Sequence, residues 1–253
     1  MYQTLIFRPL YNGLVGIIDV LPWIDLGMAV IIFTVIVKLI LFPLSRTSIL
    51  TQARMKEVEP EMAQLKAKYA NDRQVQAMKI MELYKSKGIR PFSGILLLLI
   101  QLPILLALIS VFYKIIPDIH PEFLYNFISV PVIKTHFLGL IDLTQKSLIL
   151  SFITAGAQFF QLYFSPAVRA QTRQSKTTPT NVDFSSQLAG SMNKQMKFLL
   201  PILAFVSTYW IIPSQFPAAA AIIAIYWTVS TLFTLVQELF IMYRYSRKVR
   251  IVS

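Results

Sequence analysis

Long apolar runs separated by polar segments set the plan of the chain. A helix that crosses a bilayer core of about 30 Å takes roughly 20 predominantly apolar residues. Five stretches predict such spans: Gly27 to Leu44, Ser93 to Ile116, Ser147 to Phe164, Lys197 to Ile212 and Ala218 to Tyr243. Between the first two, residues 45–92 change period. Met55, Val58, Met62, Leu65 and Tyr69 recur at intervals of three and four, which puts an apolar stripe on one side of a helix. A turn at Asn71 and Asp72 follows, with Asp72 placed to cap a second helix whose apolar side is Val75, Met78, Met81 and Tyr84. The segment reads as a helical hairpin with a kink or break at Pro60. Residues 1–26 are apolar but interrupted by Arg8, Pro9, Asn12, Asp19 and Pro22. That suits an amphipathic helix lying in the interface better than a signal peptide, whose basic n-region and small-residue cleavage site are missing. Residues 117–146 form an external loop, 165–196 a Ser-, Thr- and Gln-rich cytoplasmic loop with a disordered middle, and 244–253 a basic tail.

Composition agrees with the pattern. The 253 residues are 55% hydrophobic and only 14% charged, with a mean hydropathy of +0.60. That is too apolar for an ordinary soluble domain and reads as an all-α integral membrane protein. Without cysteine, disulfides, thiolate metal sites and a lipidated cysteine are excluded. The Lys and Arg residues sort by side: ten in 45–92, five between the third and fourth spans and four in the tail, against only Arg8, Lys114, Lys134 and Lys146 opposite. The basic side is cytoplasmic, which puts the N-terminus outside and the C-terminus inside. The net charge of +12 is thus concentrated on one face. It serves as the topology signal, and it equally suits anionic headgroups or ribosomal RNA.

Candidate chemistry lies inside the spans. Lys38 interrupts FTVIVKLILFPLS, one turn after Thr34, and Gln101 stands beside Pro103 in the second span. In the third, Ser151, Thr154, Gln158 and Gln161 follow at steps of three and four and form one polar stripe. In the fifth, Ser230, Thr234, Gln237 and Glu238 do nearly the same, with Trp227 and Thr231 adjoining. Polar groups in spans either hydrogen-bond neighbouring helices or line a wet cavity. A cation together with two such stripes favours a hydrated groove.

The segments IVKLILFPLS, MELYKSKGIRPFSGILLLLIQLPILLAL, FFQLYFSP and YWTVSTLFTLVQELFIMYR resemble, in order, the motifs of the YidC/Oxa/Alb family of membrane protein insertases. The resemblance spans nearly the whole chain, from about Ile6 to Arg244. It implies a single insertase domain of five transmembrane helices enclosing a hydrophilic groove, open to the cytoplasm and to lipid. In that family a cation of the first span, here Lys38, attracts the polar tail of a nascent membrane protein. The substrate's apolar helix then slides into lipid along the third and fifth spans. The resemblance implies the ribosome as a partner for the second cytoplasmic loop and the tail. The basic residues there, Arg169, Arg173, Lys176, Arg244, Arg247, Lys248 and Arg250, are candidates for ribosome or anionic-lipid contact. The Sec translocon, the signal recognition particle system and membrane lipids complete the expected partners, and a bacterial plasma membrane the expected location.

Three departures from the family pattern concern the site. Bacterial members usually carry arginine where this chain has Lys38, which keeps the charge but loses the forked donor. Gln237 is followed by Glu238 where a run of glutamines is common. IPSQFPAAAA lacks the glycine of the family's turn before the fifth span. Lys38 meets substrate free, pairs with Glu238, or snorkels to the interface. A small-molecule or ion transporter using Lys38 and Glu238 is the main rival reading, and a structural assembly factor the second. The four hairpin methionines pack on each other's stripe or accept an apolar partner. No phosphate cradle, carboxylate pair or nucleophile set is recognisable, so no enzyme activity and no cofactor are expected. His120, His136 and Asp142 of the external loop are scattered without metal-ligand spacing, and no metal site is expected.

Overall fold

The computed structural model describes residues 2–90, 92–116, 118–165 and 198–252; side chains are not described at 94, 95, 98 and 248–252. Among the described residues the protein is all-α apart from one two-stranded ribbon. Its helices are α1 Arg8–Val20, α2 Leu26–Ile40, α3 Phe42–Glu57, α4 Glu59–Lys68, α5 Arg73–Ser86, α6 Ser93–Ile115 and α7 Leu148–Phe164. They are followed by α8 Phe198–Gln215 and α9 Ala220–Val252. Two units divide the chain: residues 1–40 with 101–236, and residues 41–100 with 237–253.

Four helical segments build the core of the first unit. Along α1, Tyr11, Leu14, Val15 and Ile18 share one face and are buried. From α2 come Leu26, Ala29, Val30 and Phe33, and from α6 Leu108, Val111, Phe112 and Ile115, again at helical spacing. The start of α9 differs, because Ala221 through Tyr226 are buried on every side without a polar face. The external loop is tied to α1 by Asn12, a buried amide that must be satisfied by protein. Its Nδ2 donates to the carbonyls of Arg8 and Phe123, both at 2.8 Å, and its Oδ1 accepts from the Tyr125 amide at 2.7 Å. The His120 amide donates to the Tyr11 hydroxyl at 2.8 Å.

The ribbon is β1 His136–Phe137 against β2 Ile141–Asp142, antiparallel, with His136 opposite Asp142. Leu138 and Gly139 turn it with φ of 52° and 71°. Asp142 closes the return: hydrogen bonds from the Thr144 hydroxyl and amide hold its carboxyl below the usual carboxylate range. The Phe137 ring lies where a Cβ on Gly27 would stand, so the start of α2 requires glycine for close approach.

In the second unit, Pro43 and Pro60 sit in the first turns of α3 and α4, where a missing N–H is tolerated. Asp72 caps α5, accepting from the amides of Gln74 and Val75 at 3.1 and 3.0 Å. A small cluster of Val58, Tyr84 and Ile89, with Met55, Met62, Ile80 and Leu83 against it, joins these helices. The Tyr84 hydroxyl donates to the Met62 sulfur at 3.2 Å. The inward side of α5 is therefore Ile80, Leu83 and Tyr84, while Met78 and Met81 are 54% and 47% exposed.

Helix ends depart from the apolar runs at three places. The expected first span, Gly27 to Leu44, breaks at Leu41, since Pro43 has no N–H for the carbonyl of Leu39 and its ring crowds that turn. Toward its end α8 includes a π-helical turn at Ser207–Ile211, just before Pro213, and continues to Gln215. The basic tail continues α9 as helix to Val252. Among the described residues, Phe198–Gln215 and Pro217–Arg247 are each long and apolar enough to cross a membrane. Leu26–Ile40 with Phe42–Glu57 qualifies as one broken span, and Leu99–Ile115 and Leu148–Phe164 are shorter apolar helices.

Candidate functional site

In the first unit, α9 carries a line of hydroxyls at Tyr226, Ser230 and Thr234, each one turn from the next, on which polar groups of two other helices converge. The Lys38 ammonium of α2 donates to the Thr234 hydroxyl at 3.3 Å. The Thr234 hydroxyl in turn donates to the Ser230 carbonyl at 2.8 Å. Gln101 of α6 donates to the Tyr226 hydroxyl at 3.4 Å. Lys38 is half-buried, and no carboxylate of its own unit lies within ion-pair distance among the described residues. An ammonium has three donors, and one hydroxyl does not exhaust them.

On another face of the same stretch of α9, α7 docks through Thr154. The Thr154 hydroxyl, 0% exposed, lies 2.8 Å from the Leu150 carbonyl, 3.2 Å from the Ala224 carbonyl and 2.9 Å from the Thr228 hydroxyl. With one proton to give, Thr154 shares it between the carbonyls while Thr228 donates to it. Such bonds between spans contribute about 0.6–2 kcal/mol each.

The polar stripe of the third span therefore divides along its length. Ser151 is buried and bonds the Ser147 carbonyl at 2.9 Å, and Thr154 joins α7 to α9. Gln158 and Gln161 are half-buried and bond one another at 3.2 Å. Thr34 is also buried, its hydroxyl satisfied by the Val30 carbonyl at 2.6 Å. Thr231 is buried and Trp227 half-buried. Tyr226 and Thr228 belong to the site although the sequence analysis passed over them. Tyr226 extends the line of Ser230 and Thr234 by one turn toward the N-terminus, and its hydroxyl was hidden by counting the ring as apolar.

Gln237 and Glu238 fall in the second unit. Gln237 is 5% exposed, and its Nε2 has no hydrogen-bond partner among the described residues. Glu238 acts on Lys56 at the end of α3: burial pushes the Lys56 ammonium down, while the carboxylates of Glu59 and Glu238 pull it back up. The Arg244 guanidinium lies 4.8 Å from the Phe240 ring centroid, and Arg247 is exposed. Arg169, Arg173 and Lys176 lie outside the described residues, as do the side chains of Lys248 and Arg250.

The sequence model of the 60Kd inner membrane protein family matches residues 19–248. Relatives include proteins named membrane protein insertase YidC. That of Geobacter sp. strain M21 is 30% identical over 217 residues, covering 85% of this chain and 33% of the relative. That of Amoebophilus asiaticus strain 5a2 is 33% identical over 212 residues, covering 84% and 32%. That of Beijerinckia indica is 29% identical over 264 residues, covering 99% and 39%. The chain spans about a third of the length of these relatives.

Proposed function

The chain belongs to the 60Kd inner membrane protein family, the YidC/Oxa/Alb insertases whose motifs it carries, and from that premise we propose that it inserts nascent membrane proteins into a bacterial inner membrane. The observation that carries this reading is the half-buried Lys38, held by Thr234 on a line of hydroxyls shared with Gln101 and Tyr226. A half-buried cation set among hydroxyls attracts the polar or acidic tail of a substrate while the tail is short of water. The five apolar runs act as five spans around a cytoplasm-open groove. The substrate's apolar helix leaves along α7 and α9, whose outward faces carry Phe152, Phe160, Leu232 and Val236, all exposed. Its transfer into lipid is the driving force, about 25 cal/mol for each Å² of apolar surface removed from water. The Gln237 amide, which has no partner among the described residues, is a second group able to meet a polar tail. The N-terminus lies outside. The basic tail and second cytoplasmic loop meet the ribosome, and the Sec translocon and signal recognition particle system deliver part of the substrate load.

The test is insertion of a single-span substrate with an acidic translocated tail. Lys38→Ala lowers insertion by about ten-fold or more, the equivalent of ~1.4 kcal/mol of lost attraction, and Lys38→Arg restores it. Normal insertion by the Ala variant overturns the proposal.

A further inference from the structure

The second unit contains a cavity of about 750 Å³ that the insertase reading does not use. Its walls come from α3 along residues 42–54 and from α9 around residues 240–245. These are also the points where the apolar runs of the first and fifth spans end, at Leu44 and Tyr243. Arg46, Arg54 and Arg244 reach the cavity, and Phe42, Leu50 and Ile241 supply apolar surface between them. Among the described residues, none of the three arginines has a carboxylate within ion-pair distance. The nearby acid, Glu57, is engaged instead by Tyr245, whose hydroxyl donates to both carboxylate oxygens at 3.0 Å and is also hydrogen-bonded to Arg54. With its face on the Phe240 ring, Arg244 keeps its N–H edge for another partner.

Guanidinium groups around an apolar wall match one class of ligand. Planar forks take phosphate oxygens in pairs, and a wall of Phe, Leu and Ile takes methylene groups. A free phosphate leaves that wall bare. A nucleic-acid backbone satisfies the arginines but gives Leu50 and Ile241 nothing apolar to cover them. We propose that this cavity holds the phosphate headgroup and first acyl methylenes of an anionic phospholipid, drawn from the leaflet that the basic segments face. The inference does not depend on insertase activity, since it is read from lipid retention without any insertion assay.

Native mass spectrometry of the full chain released from nanodiscs tests it, comparing phosphatidylglycerol with phosphatidylcholine. The expected result is selective retention of phosphatidylglycerol. Arg46→Gln and Arg244→Gln each reduce it about five-fold, from the attraction one basic residue contributes at an anionic membrane surface. Thr47→Trp, at an exposed position on the cavity wall, reduces retention without changing charge, and Arg73→Gln on α5 leaves it unchanged. Equal retention of the two lipids, or no effect of Thr47→Trp, overturns the proposal. So does displacement by glycerol 3-phosphate, which marks a free-phosphate site, or by a short single-stranded RNA, which marks a nucleic-acid site.

Discussion

The two units bury their apolar side chains in different ways. In the first, Tyr11, Leu14, Phe112 and Ile222 are enclosed almost completely, and α9 opens with a run buried on every face. In the second, the cluster of α3, α4 and α5 has three buried members, Val58, Tyr84 and Ile89, and leaves Met78 and Met81 facing outward. The helices of the first are apolar around most of their circumference, whereas the hairpin helices carry one narrow stripe each. Contact on several sides makes the first unit rigid enough to hold Lys38 and Thr154 at fixed distances. A single stripe leaves the second adaptable, with thioethers on its surface.

The same truncation placed in both units tests that contrast most strongly. Leu14→Ala opens a closed core and costs about 3–5 kcal/mol. Leu83→Ala, at a half-buried position, costs about 1–2 kcal/mol, since less surface leaves water there. Denaturant unfolding of the solubilised protein compares them, and equal losses would break the distinction. Within the first unit, Gly27→Ala forces a Cβ into the Phe137 ring and costs about 1–3 kcal/mol. Gly156→Ala, with nothing near its new methyl, gains up to about 1 kcal/mol from helix propensity; thermal midpoints of the two variants should move in opposite directions. The smallest effect belongs to Met78→Gln and Met81→Gln, each within about 0.5 kcal/mol of the parent. A larger loss would show that these thioethers already have a protein partner.

Much of this was legible along the chain, and the exceptions have local causes. The expected spans Ser93 to Ile116 and Ser147 to Phe164 coincide with α6 and α7 to within a residue. At α7 the signal is a cap: the Ser147 side chain accepts from the Leu150 amide at 3.3 Å. Asp72 marked the start of α5 for the same reason. The break at Leu41 was missed because hydropathy continues smoothly through Pro43, and only the missing N–H interrupts it. On α5, both Met78 with Met81 and Ile80 with Leu83 satisfy the helical period, so spacing alone did not decide which pair faced inward. Periodicity placed Ser151, Thr154, Gln158 and Gln161 on one stripe. Which of them became buried depended on where α9 offered Thr228 and the Ala224 carbonyl, and that is a property of packing rather than of one helix. An apolar, charge-poor composition and the long apolar runs made the class legible early, while the arginine-lined cavity emerged only when residues 46–54 and 240–245 were seen to share a wall.

The lengths of α2 and α7 bear on the bilayer itself. At 15 and 17 residues and about 1.5 Å per residue, they rise only some 22 and 26 Å. Under the proposed function, in which they cross a hydrocarbon slab of about 30 Å, the lipids beside them compress elastically, at fractions of a kcal/mol per Å. The deformation is stored in the solvent rather than in the protein. Under that proposal, a polar segment crossing beside these helices meets a shorter oily path than it would in undisturbed membrane.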